Sequence, residues 1–181
     1  LHGYLCSILT NVTRKIESQA IKTGFVYKLA CKYYHSVVRK EIDLANITQD
    51  DHILCIGGGV CPFTAILFHQ KTGARVTVID NNEKCVQKAR KIIARLGIGD
   101  KVHVRHKEGS SKDIMFADYT VVHFALQVFP MEEVFTSVEK RVVPGTRLLV
   151  RRPKACCLLP SCPCVIHKAR NIGSTAITVA A

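Results

Sequence analysis

Acidic residues are scarce: Lys and Arg number 26 against 14 Asp and Glu, a formal net charge of +12, and no acid follows Glu139. Such a field attracts anions. Nucleic acid, a carboxylate-bearing metabolite and the negative groups of a cofactor would all be drawn to it, and a basic surface that only aids solubility is the plain alternative. No apolar run is long enough to cross a bilayer, and no basic start with an apolar run and a small-residue cleavage site follows Leu1. The nine cysteines are therefore read as thiols of a reducing cytoplasm, not as the disulfide framework of a small secreted protein. Residue 1 is Leu rather than Met, which leaves the native start open. The chain has no Gly/Ser-rich linker, internal repeat or low-complexity tract, so its 181 residues are expected to form one domain with a helical appendage.

Two patterns divide the chain. From Gly3 to about Ala45 the spacing is helical, with Phe25, Leu29, Tyr33 and Val37 on one face, and residues 1–48 read as a helical cap. From 49 to 181 short apolar runs alternate with helical stretches. Ile53–Ile56, Arg75–Ile79, Val102–Arg105, Thr120–Phe124 and Arg147–Val150 read as strands. Helices are expected over Pro62–Lys71, Asn82–Leu96 and Met131–Arg141, with a short turn near Ser111–Met115. Strand and helix in alternation imply a mostly parallel, Rossmann-like α/β sheet with helices on both faces, and ligands bind beyond the carboxyl ends of such strands. The tail from Ala155 onward is cysteine-rich and broken by Pro160 and Pro163, with Thr175–Val179 able to pair as a last strand.

The chemistry concentrates where the first strand meets Gly57, Gly58 and Gly59, followed by Val60, Cys61 and Pro62. Glycines let the backbone turn sharply and approach a ligand, and the N–H groups of the helix start favour negative charge. Asp80 ends the second strand, where a carboxylate can accept hydrogen bonds from the two hydroxyls of a ribose. It could instead cap the following helix, although Asn81 or Asn82 could do that. At the end of the third strand Glu108 or Ser110 could meet an adenine edge. The dinucleotide fingerprint wants a third glycine two residues beyond Val60, and Pro62 stands there instead. A diphosphate cradle is thus missing, and S-adenosylmethionine (SAM), which carries no phosphate, suits the loop better.

The run Gly57-Gly58-Gly59-Val60-Cys61-Pro62-Phe63-Thr64-Ala65-Ile66-Leu67 resembles the glycine loop and first helix of nicotianamine synthases, a group within the class I (Rossmann-like) SAM-dependent methyltransferase superfamily. Similarity extends through Asp80, Val121–Leu126 (with Phe124 and Ala125), Thr146–Arg151 and Asn171–Thr175, and upstream through Tyr34–Glu41. The resemblance implies a synthase that moves the 3-amino-3-carboxypropyl group of SAM to an amine of a small metabolite and releases methylthioadenosine. It implies cofactor contacts from the glycine loop with Pro62 and Thr64, from Asp80 and Asn81, and from Phe124 and Ala125. Tyr34 and Glu41 become candidates to orient or deprotonate the amine; the alternative is that Tyr34 packs and Glu41 faces solvent. Arg151 or Arg152 could grip a substrate carboxylate in bidentate fashion, or be surface charge. Family members carry a longer helical region ahead of the loop than the fifty or so residues found here, so the reaction type is open to change.

The competing readings are a methyltransferase acting on a small molecule or RNA, and a SAM- or metal-binding protein without turnover. No Asn/Asp-Pro-Pro-Tyr signature follows the fourth strand, which argues against adenine N6 methylation, and His123 on an apolar strand reads as a core histidine. Cys156, Cys157, Cys162 and Cys164 crowd together near His167, but without paired two-residue spacings, so no metal site is assigned. A membrane partner is not expected, and a homodimer is compatible with the sequence.

Overall fold

The computed structural model describes residues 24–153, 165–171 and 177–180. Helix α1 spans Gly24–Ala45, and strand β1 (His52–Ile56) leads through the glycine turn into α2 (Phe63–Thr72). Strand β2 (Arg75–Asp80), helix α3 (Glu83–Arg95) and strand β3 (Val102–His106) follow. After a short 3-10 turn at Phe116–Asp118 come β4 (Val121–Phe124), α4 (Met131–Glu139) and β5 (Arg147–Pro153), then β6 (Val165–Asn171) and β7 (Ile177–Ala180). The strands form one sheet in the order β3-β2-β1-β4-β5-β6-β7. The first five are mutually parallel, while β6 runs antiparallel to β5 and β7 antiparallel to β6. The expected Rossmann-like sheet is therefore present, with an antiparallel edge added to it.

Side chains of a strand alternate between faces, and β1 shows what that does to the core. Ile53 and Cys55 join a cluster with Val38 of α1, Ala65 and Phe68 of α2, and Val86, Ala89 and Ile93 of α3. Leu54 and Ile56 turn the other way, against Phe116, Val134 and Val138 on the 3-10 turn and α4. The sheet is thus buried on both faces, as parallel sheets require. The same cluster that holds Ile53 takes in Ala45 and Ile47, so the end of α1 shares its core with the sheet.

Local signals explain most element ends. Gly73 closes α2 in the left-handed conformation, its N–H donating to His69 O at 2.8 Å. Asn82 caps α3, its side chain accepting from Lys84 N and Cys85 N. Helix α2 begins one residue later than expected because Pro62 is its N-cap, with the Pro62 carbonyl accepting from Ile66 N. Helix α4 stops at Glu139, two residues short of expectation. Strand β6 was not anticipated: Val165–Asn171 has no clean apolar alternation, and its ladder with β5 supplies the order. Cys156, Cys157, Cys162 and Cys164 lie outside the described residues, as do residues 1–23 of the expected cap.

Opposite the carboxyl ends of the strands, Arg147 clips α1 to the sheet. Its Nη1 donates to Ala45 O at 2.7 Å and Asn46 O at 3.0 Å, and its Nη2 pairs with Asp51. Burial pushes the Asp51 carboxyl upward, but hydrogen bonds from the Thr120 hydroxyl and the Thr48 N–H, together with Arg147, outweigh it and hold the group below the usual range. A folded value below the unfolded one adds stability that is complete above the ordinary 3.8 and is lost as pH falls toward the lowered value. Asp51→Asn should therefore cost about 1.5–3 kcal/mol at neutral pH, read by denaturant melts, and the gap from the parent should close in acid, where the parent's carboxyl is itself protonated.

Candidate functional site

In this sheet order β2 and β3 lie on one side of β1 and β4 on the other, so the connections that leave β1 and β4 run to opposite sides, the arrangement that leaves a crevice beyond the carboxyl ends of these paired strands. The glycine turn occupies that point. Gly57 and Gly59 have φ of +86° and +63°, which L side chains rarely adopt. Gly58 is required for another reason: a Cβ there would lie 2.2 Å from Val78 Cγ1. Gly57 N and Gly58 N both donate to Ile79 O, at 2.9 and 3.3 Å, so the turn folds back over the end of β2. From the β4 side, Gln127 Nε2 donates to Gly57 O at 3.0 Å.

Asp80 locks this arrangement. One carboxylate oxygen accepts from Gly59 N at 2.7 Å and the other from Asn82 N at 2.9 Å. Because Asn82 caps α3, Asp80 is released from that task and spans the turn and the start of α3. Both of its oxygens retain a second lone pair for further donors. Asn81 is exposed beside it, with Nδ2 3.4 Å from Glu108 Oε1.

The loop after β3 forms the next wall. Gly109 is buried, and a Cβ there would meet Ile56 Cγ2 at 2.7 Å and Val134 Cγ1 at 2.8 Å, so the backbone is pressed onto the sheet end. Arg141, just past α4, donates to the carbonyls of Ser110, Ser111, Lys112 and Ile114 at 2.8–3.4 Å and lies over the Phe116 ring at 4.7 Å. Sequence reading did not single out Arg141 or Gln127, whose partners lie about 30 and 70 residues away.

A second group of polar side chains is buried between α1, α2, β4 and β5. Glu41 is completely buried and does not face solvent. Arg151 Nε donates to its Oε1 at 2.7 Å and Arg151 Nη2 to its Oε2 at 2.6 Å, a bidentate pair. His123 Nε2 stands 3.1 Å from Oε1, which suits that nitrogen carrying the proton. The Arg151 guanidinium lies 5.7 Å from the Tyr34 ring, and Tyr34 stacks on Phe63, the first residue of α2, at 5.3 Å. Glu41, His123 and Arg151 are thus one constellation, joined through half-buried Tyr34 to the helix that leaves the glycine turn. The carboxylate that Arg151 grips in this structure is that of Glu41. Cys55, whose charge interactions are with Arg151 and Glu41, has its thiol pushed far up, chiefly by burial.

Of the other expected site residues, Val60, Thr64 and Ala125 are half-buried and Pro62 is buried, and Ala125 N donates to Ile56 O at 3.0 Å beside the turn. Phe124 is fully buried and packs on Phe135 at 5.5 Å, so its side chain belongs to the core and only its backbone can reach the crevice. Glu108 and Ser110 are exposed on the loop that Arg141 holds. Arg152 is placed on β5 by its backbone. Among the described residues no group of three or more His, Cys, Asp or Glu could hold a metal ion, and no helix is long and apolar enough to cross a membrane.

The solved structures that resemble this chain include the nicotianamine synthase MtNAS. A single-residue mutant of MtNAS in complex with S-adenosylmethionine matches with a TM-score of 0.69 and 23% identity, over 81% of this chain and 60% of that one. An MtNAS complex with MTA and tNA matches with a TM-score of 0.69 and 24% identity, over 81% and 58%. An RNA methyltransferase from Salinibacter ruber in complex with S-adenosyl-L-homocysteine has a TM-score of 0.56 and 22% identity, over 70% and 85%. The chain shares the Rossmann-like fold of these structures. Among curated proteins, an L-histidine 2-aminobutanoyltransferase from Yersinia pestis is 30% identical over 69 residues, which is 38% of this chain and 26% of that relative. No protein-family model matches. This chain therefore spans about a quarter of the curated relative and about three-fifths of MtNAS.

The contact at Gly58 gives a direct check of the turn. Gly58→Ala should destabilise the fold by about 1–3 kcal/mol through overpacking, and adding Val78→Ala, which removes the opposing methyl group, should recover part of the loss in thermal melts. Equal melting of Gly58→Ala and the parent would contradict the geometry.

Proposed function

We propose that this chain is a SAM-dependent transferase that moves the 3-amino-3-carboxypropyl group to an amine of a small metabolite. The nucleoside of SAM sits at the corner made by Gly57, Gly58, Gly59, Val60, Pro62 and Thr64, with Asp80 accepting from the ribose hydroxyls and Asn81 beside it. Adenine rests against the loop of Glu108 and Ser110, with the backbone of Phe124 and Ala125 closing the β4 side. The observation that carries the reading is the second constellation: a buried carboxylate, Glu41, held by Arg151 and connected through Tyr34 to the first residue of α2. The aminobutanoyltransferase relative supports the choice of transferred group.

The reaction is a displacement at the methylene carbon beside the sulfonium. The amine nitrogen forms the new C–N bond, the C–S bond breaks with its electron pair going to sulfur, and methylthioadenosine leaves as a neutral thioether. The nitrogen then loses a proton. Alignment of nucleophile and leaving group supplies much of the rate, and a positioned acceptor takes the proton. In this reading Tyr34 orients the amine, and Glu41, whose carboxylate form Arg151 stabilises, is the acceptor. With Arg151 engaged by Glu41, Arg152 is the remaining candidate to grip a substrate carboxylate. The product gains an amine and a carboxylate, nitrogen and oxygen donors of the kind a metallophore uses. A reducing cytoplasm as the compartment of this chain of nine cysteines suits the free thiol of Cys55.

Incubation with SAM and a panel of amino acids that includes histidine, followed by identification of the released nucleoside, tests the assignment. Methylthioadenosine is expected; S-adenosylhomocysteine would replace this reading with methyl transfer, and neither nucleoside would leave a binding protein. Calorimetry on Asp80→Ala should show SAM affinity weakened by about tenfold or more; unchanged affinity would remove the ribose assignment. Glu41→Gln should retain SAM binding while turnover falls by about 10²-fold or more.

A further inference from the structure

Between Lys84 and Lys107 the sequence places eight Lys and Arg residues against one acid, Asp100. On α3, Lys84, Lys88, Lys91 and Arg95 are all exposed and follow spacings of four, three and four, which lines them up along the solvent face. Like charges at such spacings destabilise a helix. The fold gains nothing from this stripe, since α3 buries Val86, Ala89 and Ile93 on another face.

At the flank of the stripe a groove of about 430 Å³ runs along the outer edge of the sheet, with Ile93 and Val102 among its apolar lining and Arg90, His103 and Arg105 among its polar lining. Strand β3 is the outermost strand on this side, and His103 and Arg105 are exposed on it. Arg90 Nε donates to Val104 O at 2.9 Å, which pins the guanidinium in the groove. The same bond occupies an edge carbonyl that an added peptide strand would need.

We propose that this flank binds single-stranded nucleic acid, with phosphates along the α3 cations and a base on the apolar floor beside His103. A cationic track next to aromatic rings is the combination that holds single strands without regard to sequence, because every base has a face to stack and every linkage a charge, and His103 supplies the ring here. A duplex keeps its bases inside and could use only the charges. An acidic peptide would find the charges but no use for a base-sized hollow. The proposal stands apart from the transfer reaction, since none of these residues belongs to the glycine turn or to the Glu41 constellation.

Fluorescence anisotropy on the full chain, with labelled oligo(U) and oligo(dT) of about 12 nucleotides, tests it. Affinity should fall steeply as salt rises, and Arg105→Gln should lower the logarithmic salt slope by about 0.7. The double variant Lys88→Glu/Lys91→Glu should bind at least about tenfold more weakly while its melting temperature and its calorimetric affinity for SAM stay at the parent's values. If the double variant proves unstable, the Arg105→Gln slope alone decides. Undiminished binding by these variants, displacement of the strand by an equal charge of polyglutamate, or equally tight binding of a blunt duplex would each overturn the proposal.

Discussion

Asp80 ends β2 with one oxygen on the Gly59 N–H and the other on the Asn82 N–H, and the geometry of the glycine turn depends on that double engagement. The turn needs positive φ at Gly57 and Gly59 and no side chain at Gly58. Nothing in a glycine turn holds its own shape, because the freedom that permits the conformation also permits others. The carboxylate, the shared acceptor Ile79 O and the amide of Gln127 hold it from outside. A turn held in this way needs less ordering of its backbone on binding any ligand.

The Glu41–Arg151 pair is subject to the opposite economy. Taking two charges out of water is expensive, and their attraction recovers the cost only with close geometry and further hydrogen bonds. Here both oxygens of Glu41 meet Arg151, His123 adds a third contact, and Tyr34 lies against the guanidinium. An apolar trio of the same volume would serve stability as well or better. Tyr34 on Phe63 connects this junction of cap and sheet to the glycine turn. Arg147 at the opposite end of the strands joins the same two parts through backbone carbonyls and Asp51. The cap helix is thus fixed at both ends of the sheet.

Periodicity and turn chemistry are local, and what they govern was legible: five parallel strands, the helices between them, the glycine turn, and an acid at the end of β2. Short-range physics sets these, through alternation, helix caps and the conformational range of glycine. The errors are local too. Pro62 caps α2 instead of opening it, and β6 has no pattern of its own and takes its order from β5.

Partnership across distance is another matter. Glu41 and Arg151 are 110 residues apart, and Glu41 and His123 are 82 apart. Glu41 and Arg151 stood out in the sequence as candidates for separate roles and His123 read as a core histidine, but nothing in the sequence joined the three. Arg141 gave no signal at all, because the loop carbonyls it gathers are backbone groups that no residue type announces. The chain's own letters decide where it turns and which face of each element is apolar, since those follow from neighbours a few residues away. Which charges meet inside is decided only when sheet and cap close around them, because the energy of a buried pair exists only once water has been excluded from both.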